Sequence, residues 1–227
     1  MLAGGFGTRL RSVVSQVPKP MAPVAGRPFL DYLLGRLDRQ GFDHIVLATG
    51  YKHQVVSEYF GDAYGKAALS YAVEHTPLGT GGAIVNALQQ CDSDWVTVLN
   101  GDTLFDIDHK LFIRQAEVSG CRLALSARQV PDAGRYGAVV VDAQGRVVRF
   151  EEKSADREAV AGLINGGIYR LHRSVFDGKR VGEAFSFERD ILQPLAVPVF
   201  AMPTDAYFID IGIPSDYARA QEELPHL

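Results

Sequence analysis

The sequence predicts an α/β fold with three layers, in which a mixed, mostly parallel sheet is covered by helices on both faces and an antiparallel lid is added by the second half of the chain. Two observations carry this prediction. Over residues 1–102, β-branched apolar runs alternate with segments of helical period, which is typical of parallel strands joined by helices. Beyond them, strand-like runs follow one another directly, and "DAQG" between two valine runs predicts an antiparallel hairpin.

The first half supplies the alternating elements. The stretch "RPFLDYLLGRLDRQG" has leucines at helical spacing, with Pro28 suited to the first turn of a helix and Gly41 to its end. The run "HIVLATG" predicts a strand that is buried on both faces. Further along, the patterns predict a helix over "HQVVSEYFG", a strand over "ALSYAVE", a helix over "TGGAIVNALQQC" and a strand over "DWVTVLNGD".

The second half reads mainly as strands. The runs "CRLALSARQV", "GAVVVDAQGRVVRFEEK" and "NGGIYRLH" are strand-like, and "PVFAMPTD" and "AYFIDIG" add more strand. Between them "FSFERDILQPLA" has helical spacing with Ser186 as a candidate cap. No stretch resembles a linker, so the 227 residues are predicted to form one domain.

Composition narrows the classes of partner. A formal net charge of −4 provides no overall electrostatic footprint for nucleic acid, and no apolar stretch approaches the roughly 20 residues that span a bilayer. Cys91 and Cys121 lie far apart without a CxxC pair, which argues against a zinc site or a disulfide framework. We therefore expect a cytoplasmic protein with no nucleic-acid or membrane partner. The sequence does not decide whether the protein forms a homo-oligomer.

The opening stretch "MLAGGFGTRLRSVVSQVPKPM" is a candidate phosphate loop. Its glycines let backbone N–H groups close around an anion, while Arg9, Arg11 and Lys19 add positive charge. The spacing does not match G-x-G-x-x-G, and the chain has no G-K-[ST], which disfavours a dinucleotide fingerprint and a Walker loop. The glycine spacing alone still fits several fold families.

Two aspartates follow predicted strands. Asp102 comes after "VLNG" and Asp210 lies in "FIDIG", and carboxylate oxygens are ligands that Mg²⁺ prefers. A single aspartate after a strand is usually a turn former, so the prediction of a Mg²⁺ site depends on both being in register. The six histidines show no H-x-x-H or triad-like pattern and receive no role.

The opening loop resembles the signature of sugar nucleotidyltransferases, G-G-x-G-T-R-L followed by P-K-P, here residues 4–10 and 18–20. The resemblance extends to "DIGIPSDYARA" and implies a Rossmann-like fold of the nucleotide-diphospho-sugar transferase type. It also implies transfer of a nucleoside monophosphate from a nucleoside triphosphate, GTP or another, to a sugar 1-phosphate. The sugar phosphate is already anionic, so this reaction needs charge and alignment rather than a general base.

The resemblance assigns roles residue by residue. It implies catalytic roles for Arg9, Lys19 and Asp102, and Mg²⁺ ligands Asp102 and Asp210. It divides the chain into a nucleotide-binding half, 1–110, and a sugar-phosphate-binding half, 111–227. The implied nucleotide-binding residues are Leu2, Ala3, Gly4, Gly5, Gly7, Thr8, Arg9, Lys19, Glu74, Pro77, Leu78, Gly79, Thr80, Asn100 and Gly101. The implied sugar-phosphate-binding residues are Tyr136, Gly137, Glu152, Lys153, Asn165 and Gly167.

The stretch "EHTPLGTGGA" resembles the family's nucleobase loop, and its first residue suggests which base is bound. The carboxylate of Glu74 offers only acceptors, and guanine presents two adjacent N–H donors that uracil and thymine lack, which favours GTP. The helix from Thr80 is expected to present its amino end to phosphates. The alternative is that Glu74 is a solvated strand end.

Within the family, residues 9–34 are most similar to guanylyltransferases of D-glycero-α-D-manno-heptose 1-phosphate, which serve surface polysaccharides such as capsule and lipopolysaccharide. The resemblance leaves three alternative activities within the family. These enzymes use mannose 1-phosphate with GTP, N-acetylmuramate 1-phosphate with UTP, or glucose 1-phosphate with dTTP or CTP. A kinase or hydrolase and a module that senses a nucleotide sugar are the rival classes. Relatives place several apolar residues ahead of the loop as a central strand, so we expect missing leading residues or a shortened strand here.

Overall fold

The computed structural model describes residues 1–4, 17–133, 137–151 and 160–227. The α-helices within them are α1 (Phe29–Arg39), α2 (His53–Phe60), α3 (Gly79–Ala87), α4 (His109–Ser119) and α5 (Pro214–Glu223). The strands are β1 (Pro23–Val24), β2 (Arg27–Pro28), β3 (His44–Thr49), β4 (Ala63–Tyr64), β5 (Ala67–Val73), β6 (Trp95–Leu99), β7 (Thr103–Phe105), β8 (Leu123–Val130), β9 (Ala138–Val141), β10 (Val147–Phe150), β11 (Gly162–His172), β12 (Val199–Thr204) and β13 (Phe208–Asp210).

Most of the longer strands share one direction, and β11 runs against them. β3 is parallel to β5, and β8 is parallel to β12. β11 lies between β6 and β8 and is antiparallel to both, which makes β6 and β8 parallel to each other. Leu2 forms parallel bridges to Ala48 of β3 and to Asn100 beyond β6, and so joins the two groups of strands. The predicted mixed, mostly parallel sheet is therefore confirmed.

Helices cover both faces of this sheet because successive strand residues point to opposite sides. On β11, Ile168 packs into one core with residues of α1, α2, α4 and α5, whereas Tyr169 packs into a second core with residues of α3. The face of α1 that was predicted from leucine spacing is buried, and each such side chain contributes about 1.5–3 kcal/mol of hydrophobic stabilisation. The three predicted layers are present.

The antiparallel lid is built around the beginning of β11. Leu163 and Ile164 pair with β9, and β9 pairs with β10 through the predicted "DAQG" turn. The Asp142 carboxylate accepts hydrogen bonds from the Gln144 and Arg146 amides, both at 2.9 Å, and this closes the turn. The hairpin prediction is confirmed.

Two parts of the second half differ from the predicted pattern. The segment "FSFERDILQPLA" forms only a π-helical turn at Glu188–Leu192, although Ser186 Oγ does accept a hydrogen bond from Arg189 N at 3.1 Å. The sequence analysis did not predict α4 or α5. The capping signals of α4 were visible, because Asp108 accepts from Leu111 N and Gly120 ends the helix with a φ of +68°.

A gap one strand wide separates β3 from β6 ahead of Leu2. Met1 N donates to Val46 O at 2.7 Å, and burial lowers the pKa of this α-amino group to about 6. A cavity of about 620 Å³ continues along the gap. The strand residues that line it include Ile45, Val46, Val96, Thr97 and Val98. Within the described residues, the facing edges of β3 and β6 are thus bridged only at their carboxyl ends.

In the described part of the chain, no helix has the length and apolar character needed to cross a membrane.

Candidate active site

Two short strands bring the predicted metal ligands together. β7 and β13 pair antiparallel in a register that sets Asp210 opposite Thr103, the residue after Asp102. Ile211 N donates to Asp102 O at 3.0 Å, so the strands stay paired up to the carboxylates. Gly212 N donates to Asp210 Oδ1 at 2.7 Å and fixes that side chain. The two aspartates are therefore close although they are distant in sequence.

Lys19 of the P-K-P motif reaches both carboxylates. Its Nζ lies 2.5 Å from Asp102 Oδ2 and 3.8 Å from Asp210 Oδ1, and the lysine side chain is only 14% exposed. A Cβ on Gly212 would lie 2.3 Å from Nζ, so glycine at this position leaves space for the ammonium group. The structure thus brings the predicted lysine and both predicted aspartates together in one cluster.

The cluster contains two carboxylates and one ammonium group, and this excess of negative charge favours the binding of a cation. Burial raises the pKa of Asp210, and the nearby Asp102 charge raises it further, while Lys19 and the Gly212 amide oppose the shift. Among the described residues no group of three or more His, Cys, Asp or Glu side chains is placed to hold a metal ion. Two carboxylates suit a hard divalent ion such as Mg²⁺, which takes its remaining ligands from phosphate and water.

A cavity of about 350 Å³ opens beside the carboxyl ends of β3 and β5. This is the edge at which ligands bind in open α/β sheets. The predicted nucleotide-binding residues that line it are Leu2, Gly4, Glu74, Pro77, Gly79 and Thr80. Leu2 O also accepts from Gly101 N at 2.9 Å, and this contact connects the cavity with the segment that carries Asp102. Of the other predicted nucleotide residues, Ala3 and Leu78 are buried.

Glu74 braces the loop that follows β5. Its Oε2 accepts from Leu78 N at 2.9 Å, and its Oε1 would lie 3.0 Å from a Cβ on Gly4. Burial raises the pKa of this carboxyl group, with the Leu78 amide opposing the shift. Glu74 is therefore a half-buried, hydrogen-bonded wall of the cavity and not a solvated strand end.

The amino end of α3 differs from the expectation. Gly81 N and Gly82 N donate to Phe185 O at 3.0 and 3.4 Å, so these two amides are not free to bind phosphates. A Cβ on Gly81 would lie 2.2 Å from the Phe185 ring, and one on Gly82 would lie 2.3 Å from Glu183 O. These glycines allow a segment of the second half to pack closely behind the cavity.

On the predicted sugar side, a register shift in β11 between Asn165 and Tyr169 brings Gly167 next to the end of β6. Asn100 N donates to Gly167 O at 2.8 Å, and Gly167 has a φ of +75° that favours glycine. Asn165 donates to the buried Tyr169 hydroxyl at 2.8 Å and accepts from Gly167 N at 3.0 Å. Asn165, Gly167 and Asn100 are thus neighbours, and Tyr169 is a fully buried core residue.

Several predicted site residues cannot be placed. Gly137 is described, with a φ of +90°, which favours glycine. The predicted residues that lie outside the described ranges are Gly5, Gly7, Thr8, Arg9, Tyr136, Glu152 and Lys153. Sequence reasoning also missed two glycines, Gly50 in the cavity wall and Gly212 beside Lys19. Gly50 directly follows β3 and Gly212 lies two residues after the end of β13, so a glycine close to a strand end was the signal for both.

A lysine and two carboxylates at the strand ends, beside a cavity formed by the neighbouring parallel strands, define a site suited to transfer between phosphates. The chain belongs to the nucleotidyl transferase family, whose model matches residues 1–226. It is therefore an enzyme of the nucleotidyltransferase class, as the sequence analysis predicted.

Two relatives are similar over nearly their whole length. The D-glycero-α-D-manno-heptose 1-phosphate guanylyltransferase of Aneurinibacillus thermoaerophilus is 44% identical over 100% of this chain and 97% of its own. The enzyme with the same name from Campylobacter jejuni is 42% identical over 96% and 95%. The crystal structure of HddC from Yersinia pseudotuberculosis complexed with GMP-PN is 38% identical, with a TM-score of 0.87 over 98% of this chain and 96% of that one. These similarities confirm the predicted fold and family.

Proposed function

We propose that the protein transfers GMP from GTP to D-glycero-α-D-manno-heptose 1-phosphate and releases pyrophosphate. In this proposal the reaction takes place in the cytoplasm, and its product, GDP-heptose, is used to make surface polysaccharide. The observation that carries the proposal is the cluster of Lys19, Asp102 and Asp210 beside the cavity at the strand ends. Support for the substrates comes from the two relatives named as heptose 1-phosphate guanylyltransferases and from the GMP-PN complex of HddC.

The reaction forms a bond between a phosphate oxygen of the sugar 1-phosphate and the α-phosphorus of GTP. It breaks the bond from that phosphorus to the bridging oxygen, and the electron pair leaves with pyrophosphate. No side chain has to remove a proton, because the attacking phosphate is anionic. The protein must align two anions that repel each other and supply positive charge, which is the role proposed for Lys19. Equivalent roles for Arg9 and Lys153 stay predictions.

Nucleotidyltransferases of this family generally use a divalent metal ion. We propose Mg²⁺ held by Asp102 and Asp210, because their oxygens are hard ligands and their like charges are close together. When bound, the ion would neutralise phosphate charge. Lys19 lies next to the same carboxylates, so a phosphate that approaches them also approaches its ammonium group.

Guanine selection is assigned to Glu74. Because Oε2 is engaged by Leu78 N, Oε1 is the oxygen proposed to accept from the guanine N–H donors. Glu74→Gln should narrow the preference for GTP over UTP, since an amide can keep the Leu78 contact but loses the charge. The matched control is Glu58→Gln, on an exposed residue of α2. An unchanged ratio of kcat/KM values would contradict this role.

Mannose 1-phosphate is the second candidate sugar substrate. The mannose-1-phosphate guanylyltransferase of Mycobacterium tuberculosis is 35% identical over 99% of this chain, although the chain covers only 63% of that protein. Mannose 1-phosphate lacks the seventh carbon of the heptose, so we expect it to react more slowly. No described residue has been assigned to reading that carbon.

The experiment is a pyrophosphate-release assay over GTP, UTP, dTTP, CTP and ATP, each with heptose, mannose, glucose and N-acetylmuramate 1-phosphates. We expect the highest kcat/KM for GTP with the heptose phosphate. A preference for UTP or dTTP, or equal use of glucose 1-phosphate, would overturn the substrate assignment. Release of inorganic phosphate or ADP would indicate a hydrolase or kinase, and tight binding of a nucleotide sugar without turnover would indicate a sensor.

A further inference from the structure

Thr80 lies in the first turn of α3 and lines the proposed nucleotide cavity. Its hydroxyl donates to Glu188 Oε2 at 2.6 Å and accepts from Phe187 N at 2.9 Å. Both hydrogen-bonding functions of the hydroxyl are therefore used by one segment of the second half. These two contacts fix the Thr80 side chain in one rotamer. A helical threonine without such contacts divides between two rotamers.

Glu188 is the acceptor on which this arrangement depends. The same Oε2 atom accepts from Ser186 Oγ at 3.3 Å, so one carboxylate oxygen orients two hydroxyl groups. Hydrogen bonds to a charged group are roughly twice as strong as neutral ones. Three backbone bonds, Phe185 N to Leu78 O and the Gly81 and Gly82 amides to Phe185 O, already join the two segments. In addition to these backbone bonds, Glu188 orients the Thr80 side chain in the cavity wall.

The segment that carries Glu188 also reaches the proposed sugar side. Phe187, the residue before Glu188, packs edge-on against the buried Tyr169 ring at a centroid distance of 5.0 Å. Tyr169 accepts a hydrogen bond from Asn165, a predicted sugar-binding residue. Phe187 and Glu188 together therefore contact both Thr80 in the wall of the nucleotide cavity and Tyr169 at the bulge of β11.

We infer that Glu188 is a positioning residue that acts through Thr80, holding the wall of the nucleotide cavity in place against the sugar-binding half. This inference rests on the proposed function, because it takes the cavity beside Glu74 to be the nucleotide site. Loss of the contact releases Thr80 from its fixed position in the cavity wall, so it should weaken GTP binding about tenfold. The sugar phosphate should be affected less.

The test measures the dissociation constant of GTP by calorimetry, and the KM values for GTP and heptose 1-phosphate by pyrophosphate release. Glu188→Ala and Thr80→Val should each weaken GTP binding about tenfold. The double variant should be no worse than the more affected single one, because both remove the hydrogen bond between Thr80 and Glu188. Glu188→Gln and Thr80→Ser should restore near-normal values, since each keeps the hydrogen bond. Glu183→Gln, in the same segment but paired with Lys179, is the matched control.

Normal GTP binding by Glu188→Ala, or additive losses in the double variant, would overturn the inference. Equal damage from Glu188→Gln and Glu188→Ala would also overturn it, since that result indicates a direct charge contact with substrate. If Glu188→Ala fails to fold, Thr80→Val removes the same contact from the other side and decides the question. Absence of pyrophosphate release by the unaltered enzyme would refute the proposed function, while the binding measurements would still test the coupling.

Discussion

At the scale of single residues, the site depends on opposite charges held close together. Lys19 is nearly enclosed, whereas Asp102 and Asp210 are 36% and 32% exposed. The carboxylates thus face an accessible region while the lysine is fixed behind them. Removing one negative charge should weaken cation binding and leave the ammonium group without its full set of partners.

We expect Asp102→Asn and Asp210→Asn each to lower turnover by at least about 10²-fold, because an amide keeps the shape but loses the charge that holds a cation. Thermal unfolding should change much less than turnover, because an amide oxygen can still accept a hydrogen bond from Lys19. Initial rates of pyrophosphate release across a Mg²⁺ titration provide the measurement.

Asp62→Asn, which alters an exposed aspartate, is the control and should behave like the unaltered protein. Near-normal activity of both site variants at limiting Mg²⁺ would refute the assignment of the metal ligands.

At the scale of elements, contact between α3 and residues 183–188 explains why the sequence has three glycines in "GTGG". Cβ atoms on Gly79, Gly81 and Gly82 would lie 2.6, 2.2 and 2.3 Å from atoms of that segment. Glycine is unfavourable inside helices by roughly 1 kcal/mol relative to alanine. Close packing between the two halves offsets that cost here.

Gly81→Ala should lower the free energy of unfolding by about 1–3 kcal/mol and raise the KM for GTP, because the Phe185 ring must move. Gly35→Ala in α1 is the matched control, since its Cβ would meet its nearest atom, the Tyr64 hydroxyl oxygen, at an ordinary 3.4 Å. That variant should gain up to about 1 kcal/mol from helix propensity. Urea unfolding of both variants provides the measurement. Equal changes in the free energy of unfolding would show that close packing against Phe185 does not require glycine at position 81.

The gap between β3 and β6 makes a second element-scale prediction possible. An extension of four β-branched apolar residues ahead of Met1 has the length to pair with both strand edges and fill the cavity of about 620 Å³. It should raise the free energy of unfolding by at least about 2 kcal/mol, because buried valine or isoleucine side chains contribute about that much each.

A Gly-Ser extension of equal length is the control, since it also removes the buried α-amino group of Met1 but adds no apolar surface. Urea midpoints of the extended and unaltered proteins provide the measurement. Equal midpoints for the two extensions would show that the gap does not accept a strand.

At the scale of the whole molecule, the two halves are interleaved. β6 of the first half pairs with β11 of the second, and the Tyr217 hydroxyl of α5 donates to Pro23 O at 2.6 Å. Elements from both ends of the chain thus contribute to the same core. We expect a local change in that core to be felt in the unfolding of the entire protein.

Acid should destabilise the protein through His109, which is 4% exposed and has no partner for Nδ1 among the described residues. Burial lowers its pKa from 6.5 to about 4, with smaller opposing effects from Asp108 and Asp106. Below pH 6.5 the unfolded chain binds a proton that the folded chain does not, so stability falls as the pH drops towards 4. The expected loss is roughly 3 kcal/mol.

The measurement is urea unfolding of the unaltered protein and of His109→Leu at pH 7 and pH 4. Carboxylates affect both proteins alike, so the difference between them isolates the histidine. His226→Gln, on an exposed residue, should reproduce the unaltered protein. An identical dependence on pH in His109→Leu would contradict the prediction.

The sequence by itself determined many of the elements and the class of protein. Leucines at helical spacing predicted α1, the valine-rich pair around "DAQG" predicted the hairpin, and the G-G-x-G-T-R-L and P-K-P motifs indicated the family that the comparisons confirmed. These signals are local, since helical period, turn residues and phosphate loops each depend on a few neighbouring residues.

Only the tertiary structure decided which distant residues meet. The register of β7 and β13 places Asp210 beside Asp102 and Lys19, and the packing of residues 183–188 on α3 uses amides that were expected to face phosphate. Glu188 became a neighbour of Thr80 in the same way. Such contacts follow from strand pairing and core packing between remote segments, and local spacing in one sequence does not specify which remote segments will pair.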